Sequence, residues 1–201
     1  VSGFEHPSVQ RPLERLAKQG YDVTVVAPRA DGTLDIAAML ERVDKNTILV
    51  ACMMVNNEIG TRNDVERLAA EVKRRNSRTI VHVDAVQAWM RVPIKLDNID
   101  TLSVSGHKIH APKGIGALYV KKGLRLPPLT FGGGQERGMR PGTEAVPNIA
   151  AFAKACEIRM AHFDEDYAHV QELADYLKQQ VSAELPDTVI NGAGDIPHVV
   201  N

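Results

Sequence analysis

Lys108 closes the segment Ser103-Val104-Ser105-Gly106-His107-Lys108, where a short apolar run gives way to a small polar turn. Ligands of open α/β sheets bind beyond the carboxyl ends of the strands, so an amine at such an end is a candidate nucleophile toward a carbonyl group. To react it must lose its proton, which limited access to water favours. A lone lysine reads equally well as a solvated surface residue. A second strand end shifts the balance, because Val81-His82-Val83-Asp84-Ala85-Val86-Gln87 sets a carboxylate directly after an apolar run. A carboxylate there needs a cation or a strong donor. A protonated pyridine nitrogen is one such partner, and the pairing keeps the ring an electron sink. Asp84 also suits a helix N-cap.

The third element is Phe131-Gly132-Gly133-Gly134-Gln135-Glu136-Arg137-Gly138-Met139-Arg140-Pro141-Gly142-Thr143. Its glycines expose backbone N–H groups, and two arginines and the Thr143 hydroxyl stand close by, a set that suits phosphate. A plain flexible loop has the same composition.

Positioning these groups requires a scaffold. Apolar or β-branched runs at Val23 to Val26, Ile48 to Met54, Thr79 to Asp84, Thr101 to Ser105 and Gly116 to Val120 read as strands. Between them, Leu13, Leu16 and Ala17, and again Val65, Leu68, Ala69 and Val72, repeat at helical spacing. Strands separated by helix-length stretches need crossover connections, which predicts an α/β domain with a mostly parallel sheet sandwiched by helices. Residues 147–185 carry Phe163, Tyr167, Val170, Ala174, Leu177 and Val181 at steps of four and three. They read as one long amphipathic helix, with a bend allowed. The division expected is 1–146 as a partial large domain, 147–185 as a linker helix, and 186–201 as the start of a small domain in which Val189-Ile190 begins a strand.

Composition excludes several functions. Twenty-four basic residues against 25 acidic ones give a net charge of -1, and the scattered lysines and arginines form no stripe for nucleic acid. No apolar run is long enough for a membrane span. Two cysteines, Cys52 in an apolar run and Cys156 in a helical pattern, make neither a disulfide framework nor a metal cluster. Both read as structural, in a reducing compartment such as the cytoplasm. The first residues carry no signal-peptide pattern, and the reading expects a piece of a longer protein.

Taken together the motifs resemble the cysteine desulfurases, the class-V aminotransferase-like branch of fold-type I pyridoxal-phosphate enzymes. The matching blocks are Glu5-His6-Pro7-Ser8-Val9, Val55-Asn56-Asn57-Glu58-Ile59-Gly60, His82 to Gln87, Ser105-Gly106-His107-Lys108 with Pro112 to Val120, and the Gly132 to Thr143 loop. The resemblance implies pyridoxal 5'-phosphate as cofactor, Lys108 as its Schiff-base lysine and Asp84 as partner of the ring nitrogen. Gln87 would hydrogen-bond the ring phenolic oxygen, with Asn57 close by. His6 would stack on the ring and move protons, although a His before Pro at a helix start is commonly a surface residue. Ser105 and His107 would contact the phosphate, and Thr143 the phosphate of a partner subunit, which implies a homodimer.

The family takes sulfur from L-cysteine, leaves L-alanine and parks the sulfur as a persulfide on a loop cysteine, to be passed to a sulfur acceptor or scaffold protein for iron-sulfur clusters or thiolation. That cysteine and the arginine for the substrate carboxylate fall beyond the position matching Asn201, and a Gly- and Thr-containing phosphate turn falls before Glu5. The chain alone is therefore expected to be inactive. The rival readings are a selenocysteine lyase and a non-catalytic fragment or partner-binding scaffold. The Asn56 to Gly60 and Pro112 to Gly116 stretches favour the desulfurase, and the intact Lys108, Asp84 and Gln87 argue against loss of the cofactor chemistry.

Overall fold

A run that is apolar without alternation forms a strand buried on both faces, and Leu49–Met53, with four of its five residues buried, is such a strand. The computed structural model describes Val1–Asn201. Its strands are β1 (Leu49–Met53), β2 (Ile80–Asp84), β3 (Thr101–Ser105) and β4 (Gly116–Val120), paired in the order β1-β2-β3-β4. β1 and β3 both run parallel to β2, while β4 is antiparallel to β3. The α/β sheet is therefore mixed, with the parallel part at the site.

Five helices cover it: α1 (Pro7–Lys18), α2 (Ile36–Glu41), α3 (Val65–Arg75), α4 (Val146–Ala161) and α5 (Phe163–Glu184). In α3 the residues Val65, Leu68, Ala69 and Val72 are fully buried against β1 and β2. Its N-cap Asp64 accepts from the Arg67 N–H, and Lys73, Arg74 and Arg75 fill its last turn, where the helix dipole favours cations.

Three expectations are corrected. Val23 to Val26 is not a strand, and only one bridge joins Val26 to Ser2. Val189-Ile190 forms no strand either. The long helix is two helices that meet at His162, whose backbone (φ -118, ψ 19) leaves the helical range. Asp164, Glu165 and Asp166 supply a fresh acidic first turn for α5, and Arg159 pairs with Asp166 across the break. Residues 186–201 hold no regular element, yet Ile196 is buried in the same core as β1 and β2.

Asp100 joins the layers from within. It is 5% exposed, accepts the Val81 N–H at 2.8 Å, and pairs with Lys73 of α3 at 2.5 Å and Lys121 after β4 at 3.7 Å. Removing one partner of a buried pair leaves the other charge uncompensated, so Asp100→Ala should lower the unfolding free energy by about 3 kcal/mol or more. A urea melt measures this, and a loss of under about 0.5 kcal/mol, the range of a surface change, would contradict the role given to Asp100.

Candidate functional site

Asp84 is the last residue of β2. In register it faces Met53 of β1 on one side and Ser103 of β3 on the other. It is 6% exposed. Its Oδ1 accepts the Val86 N–H at 2.9 Å, and no donor of the protein reaches Oδ2. One oxygen thus organises the turn after the strand, while the other has no protein donor and stays open to an outside partner.

β3 ends at Ser105 and passes into the 3-10 turn Gly106–Ile109, which carries Lys108. A Cβ on Gly106 would stand 2.8 Å from the Ile115 side chain, so only glycine lets the turn lie this close to the following segment. Lys108 is half-buried, and neither a carboxylate nor a carbonyl holds its Nζ. Its carbonyl oxygen accepts from Arg91 Nη2 at 2.7 Å, while Arg91 Nη1 donates to Gln87 Oε1 at 2.6 Å. One guanidinium therefore ties the turn after β2 to the turn after β3, and brings Asp84, Gln87 and Lys108 to one edge of the sheet.

Ser105 is half-buried and His107 exposed at the same edge, each without a hydrogen-bond partner on its side chain. α4 packs against the Lys108 turn, and the Gly132 to Thr143 loop leads into it. That loop lies on the surface, steadied by the Gly142 N–H donating to Gln135 Oε1 at 3.1 Å, and Thr143 is exposed on it. His6 is the exposed N-cap of α1. Its Nδ1 accepts the Ser8 N–H at 3.2 Å, which puts the proton of the neutral ring on Nε2. Asn57 is half-buried with its side-chain amide unengaged, whereas Asn56 is consumed by the loop, donating to Phe4 O and accepting from the Glu58 and Ile59 N–H groups.

Two cavities adjoin Arg91. One of about 230 Å³ is lined by Arg62, Arg91, Val92, Phe163, Tyr167 and Asp195, and a smaller one of about 30 Å³ lies beside Arg159 and His198. Neither is lined by Lys108 or Asp84.

Under that edge sits Glu5, 3% exposed. Its Oε1 accepts the Met53 N–H at 2.6 Å and contacts the Ser2 hydroxyl, while Oε2 is buried without a partner. Burial pushes its pKa up to about 7, against the hydrogen bonds from Ser2 and Met53, and nearby Asp84 pushes it further. Asn63 takes the Met53 carbonyl at 3.0 Å, so both polar groups of the last β1 residue are held by side chains. Cys52 is 1% exposed, and burial raises its thiol well above the usual range, which keeps it an inert core residue. His198 is held neutral, its pKa pushed down to about 3 by burial and then by Arg91.

The whole of residues 1–201 matches the family described as aminotransferase class-V. The chain belongs to that family. Among class-V relatives, a protein named cysteine desulfurase from a Nostoc species is 45% identical over 190 residues, which is 94% of this chain and 47% of the relative. A solved NifS-like protein superposes with a TM-score of 0.90 at 37% identity, covering 96% of this chain and 53% of its own. A structure described as SspA in complex with cysteine gives 0.74 at 39% identity over 78% of this chain and 46% of its own. The chain spans about half the length of the curated relatives it matches.

Two residues at this edge had no role assigned from the sequence. Glu5 stood in a quoted block without a role, since nothing local distinguishes a buried Glu from a helix-flanking one. Arg91 carries a weak signal, its spacing of four from Gln87 in a helical turn.

Glu5 generates a pH dependence whose sign is fixed. Its folded pKa lies above the unfolded value, so its stabilising contribution is complete below about pH 4.5 and is lost as pH rises through about 7. Glu5→Gln keeps the neutral shape. Relative to the parent, the variant should be about equally stable at low pH and more stable by on the order of 3 kcal/mol above neutrality. Denaturant melts across that range decide it, and a difference that does not change with pH would refute the assignment.

Proposed function

We propose that the chain forms the cofactor-holding part of a pyridoxal-phosphate-dependent cysteine desulfurase. The observation that carries this is the placement of an open carboxylate oxygen on Asp84 and an unengaged amine on Lys108 at the carboxyl ends of two adjacent parallel strands. The relatives named cysteine desulfurase support the substrate, L-cysteine, and the neighbour holding cysteine agrees with it.

The residues present fit pyridoxal phosphate. Asp84 Oδ2 lacks a donor, which a protonated ring nitrogen supplies. Gln87 has its amide carbonyl taken by Arg91 and its NH2 group left to donate to the ring phenolic oxygen. Ser105 and His107 have side chains free for the phosphate. When bound, pyridoxal phosphate supplies an electron sink that weakens the bonds at the amino-acid α-carbon.

The chain's own groups do the rest. Lys108 Nζ, unengaged by the protein, would be the amine that holds the group through its aldehyde carbon. Asp84 Oδ2, free of protein donors, would accept a hydrogen bond from the ring nitrogen. His6 would move protons at Nε2, because Nδ1 is committed to its own helix. Asn57 lies on the Gln87 side. Thr143, on the exposed loop, reaches the phosphate of a partner subunit in a homodimer. Cys52, sealed in the core, does not serve as the sulfur-accepting thiolate; in this reading a loop cysteine of the longer protein takes the sulfur and passes it to an acceptor or scaffold protein.

The same reading keeps residues 1–146 as the large domain, 147–185 as the linker and 186–201 as the approach to a small domain. No helix is long and apolar enough to cross a membrane, and we assign the protein to the cytoplasm.

The chain should be mixed with substoichiometric pyridoxal phosphate, reduced with borohydride and mapped by peptide mass. The label should concentrate at Lys108, and Asp84→Ala should abolish that preference. Label shared evenly with the exposed Lys113, Lys121 and Lys122 would overturn the assignment.

A further inference from the structure

Arg91 hydrogen-bonds both turns of the site. It is half-buried, donating from Nη1 to Gln87 Oε1 at 2.6 Å and from Nη2 to the Lys108 carbonyl at 2.7 Å. Arginine has five donors and no acceptor, so of the two ends of the Gln87 amide only the carbonyl can face it. The NH2 end must then point away from the guanidinium, and no acceptor of the protein engages it. Gln87 is 8% exposed, so its rotamer freedom is small and the remaining ambiguity is a flip of the amide. The fork also fixes geometry: its two nitrogens diverge from one plane, and bonding one to Gln87 and the other to Lys108 O sets the amide and the lysine turn at a fixed separation.

We propose that Arg91 is a positioning residue that locks the Gln87 amide with its NH2 group facing the cofactor. The inference rests on the proposed function, in which Gln87 faces the ring phenolic oxygen. With Arg91 present, that oxygen meets a donor, and its anionic form is stabilised. Without Arg91 the amide is free to turn its carbonyl toward the oxygen, and two acceptors then oppose each other. The readout is the acid-base midpoint of the visible absorption band of the bound cofactor, which follows the charge on that part of the ring and needs no turnover.

The test uses the cofactor-loaded full-length protein and a double-mutant cycle. Arg91→Met should raise the midpoint by about one pH unit, a tenfold weakening of the anionic form. In a Gln87→Ala background the same substitution should move it by less than about a quarter of that. Arg91→Lys, which keeps a donor without an acceptor, should restore most of the parent midpoint and serves if Arg91→Met folds poorly. Gln87→Glu, which sets an oxygen in place of the NH2 group with Arg91 intact, should raise the midpoint as Arg91→Met does.

A shift that persists in full in the Gln87→Ala background would overturn the inference, because it would come from the charge of Arg91 or from the Lys108 backbone. A midpoint moved by Gln87→Ala but indifferent to Arg91→Met would overturn it while leaving the proposed role of Gln87 standing. A midpoint indifferent to Gln87→Ala would overturn both.

Discussion

The parallel pairing of β2 with β3 is the constraint on which the site depends. Because Asp84 is in register with Ser103, both chains leave the sheet at the same edge and in the same direction. An acid at one exit and a lysine-bearing turn at the next are then neighbours without being close in sequence. A slip of one residue would turn Asp84 to the opposite face of the sheet, and the edge would lose its carboxylate. The core protects the register, since Val81, Val83, Leu102 and Val104 are all buried.

Polar groups beneath the edge then hold it. Asp100 secures the amino ends of β2 and β3 by accepting the Val81 N–H and pairing with Lys73. Glu5 and Asn63 secure the carboxyl end of β1 by taking the Met53 N–H and carbonyl. Arg91 spans the exits of β2 and β3. Each is a buried or half-buried group whose bonds cross between elements, so the scaffold resists motion where the chemistry needs fixed distances. Glu5 adds a cost above neutrality because its second oxygen finds no donor.

β1 was legible because burial on both faces leaves an unbroken apolar run, and the other strands because short β-branched or apolar runs stand between helix-length stretches. β3 and β4 fall where the residues put them, and β1 and β2 within a residue or two. The antiparallel turn of β4 was not legible, since the ten residues between Ser105 and Gly116 are compatible with either direction until the Lys108 turn is known to fold back on Ile115. Val23 to Val26 looked like a strand by composition but lacks a partner beyond one bridge. The break at His162 was written in the acidic run after it, and the helical period carried on through and masked it. The site residues were legible as types at strand ends. Glu5 and Arg91 were not, because their roles come from contacts 48 and 17 residues away along the chain.

The most direct test is the electron density of the full-length protein loaded with pyridoxal phosphate. The account requires one ring at the carboxyl edge of β2 and β3, with its nitrogen within hydrogen-bonding distance of Asp84 Oδ2 and its aldehyde carbon joined to Lys108 Nζ. A ring bound in the cleft between Arg62 and Tyr167, or bound with Asp84 Oδ2 still free of any donor, would contradict it.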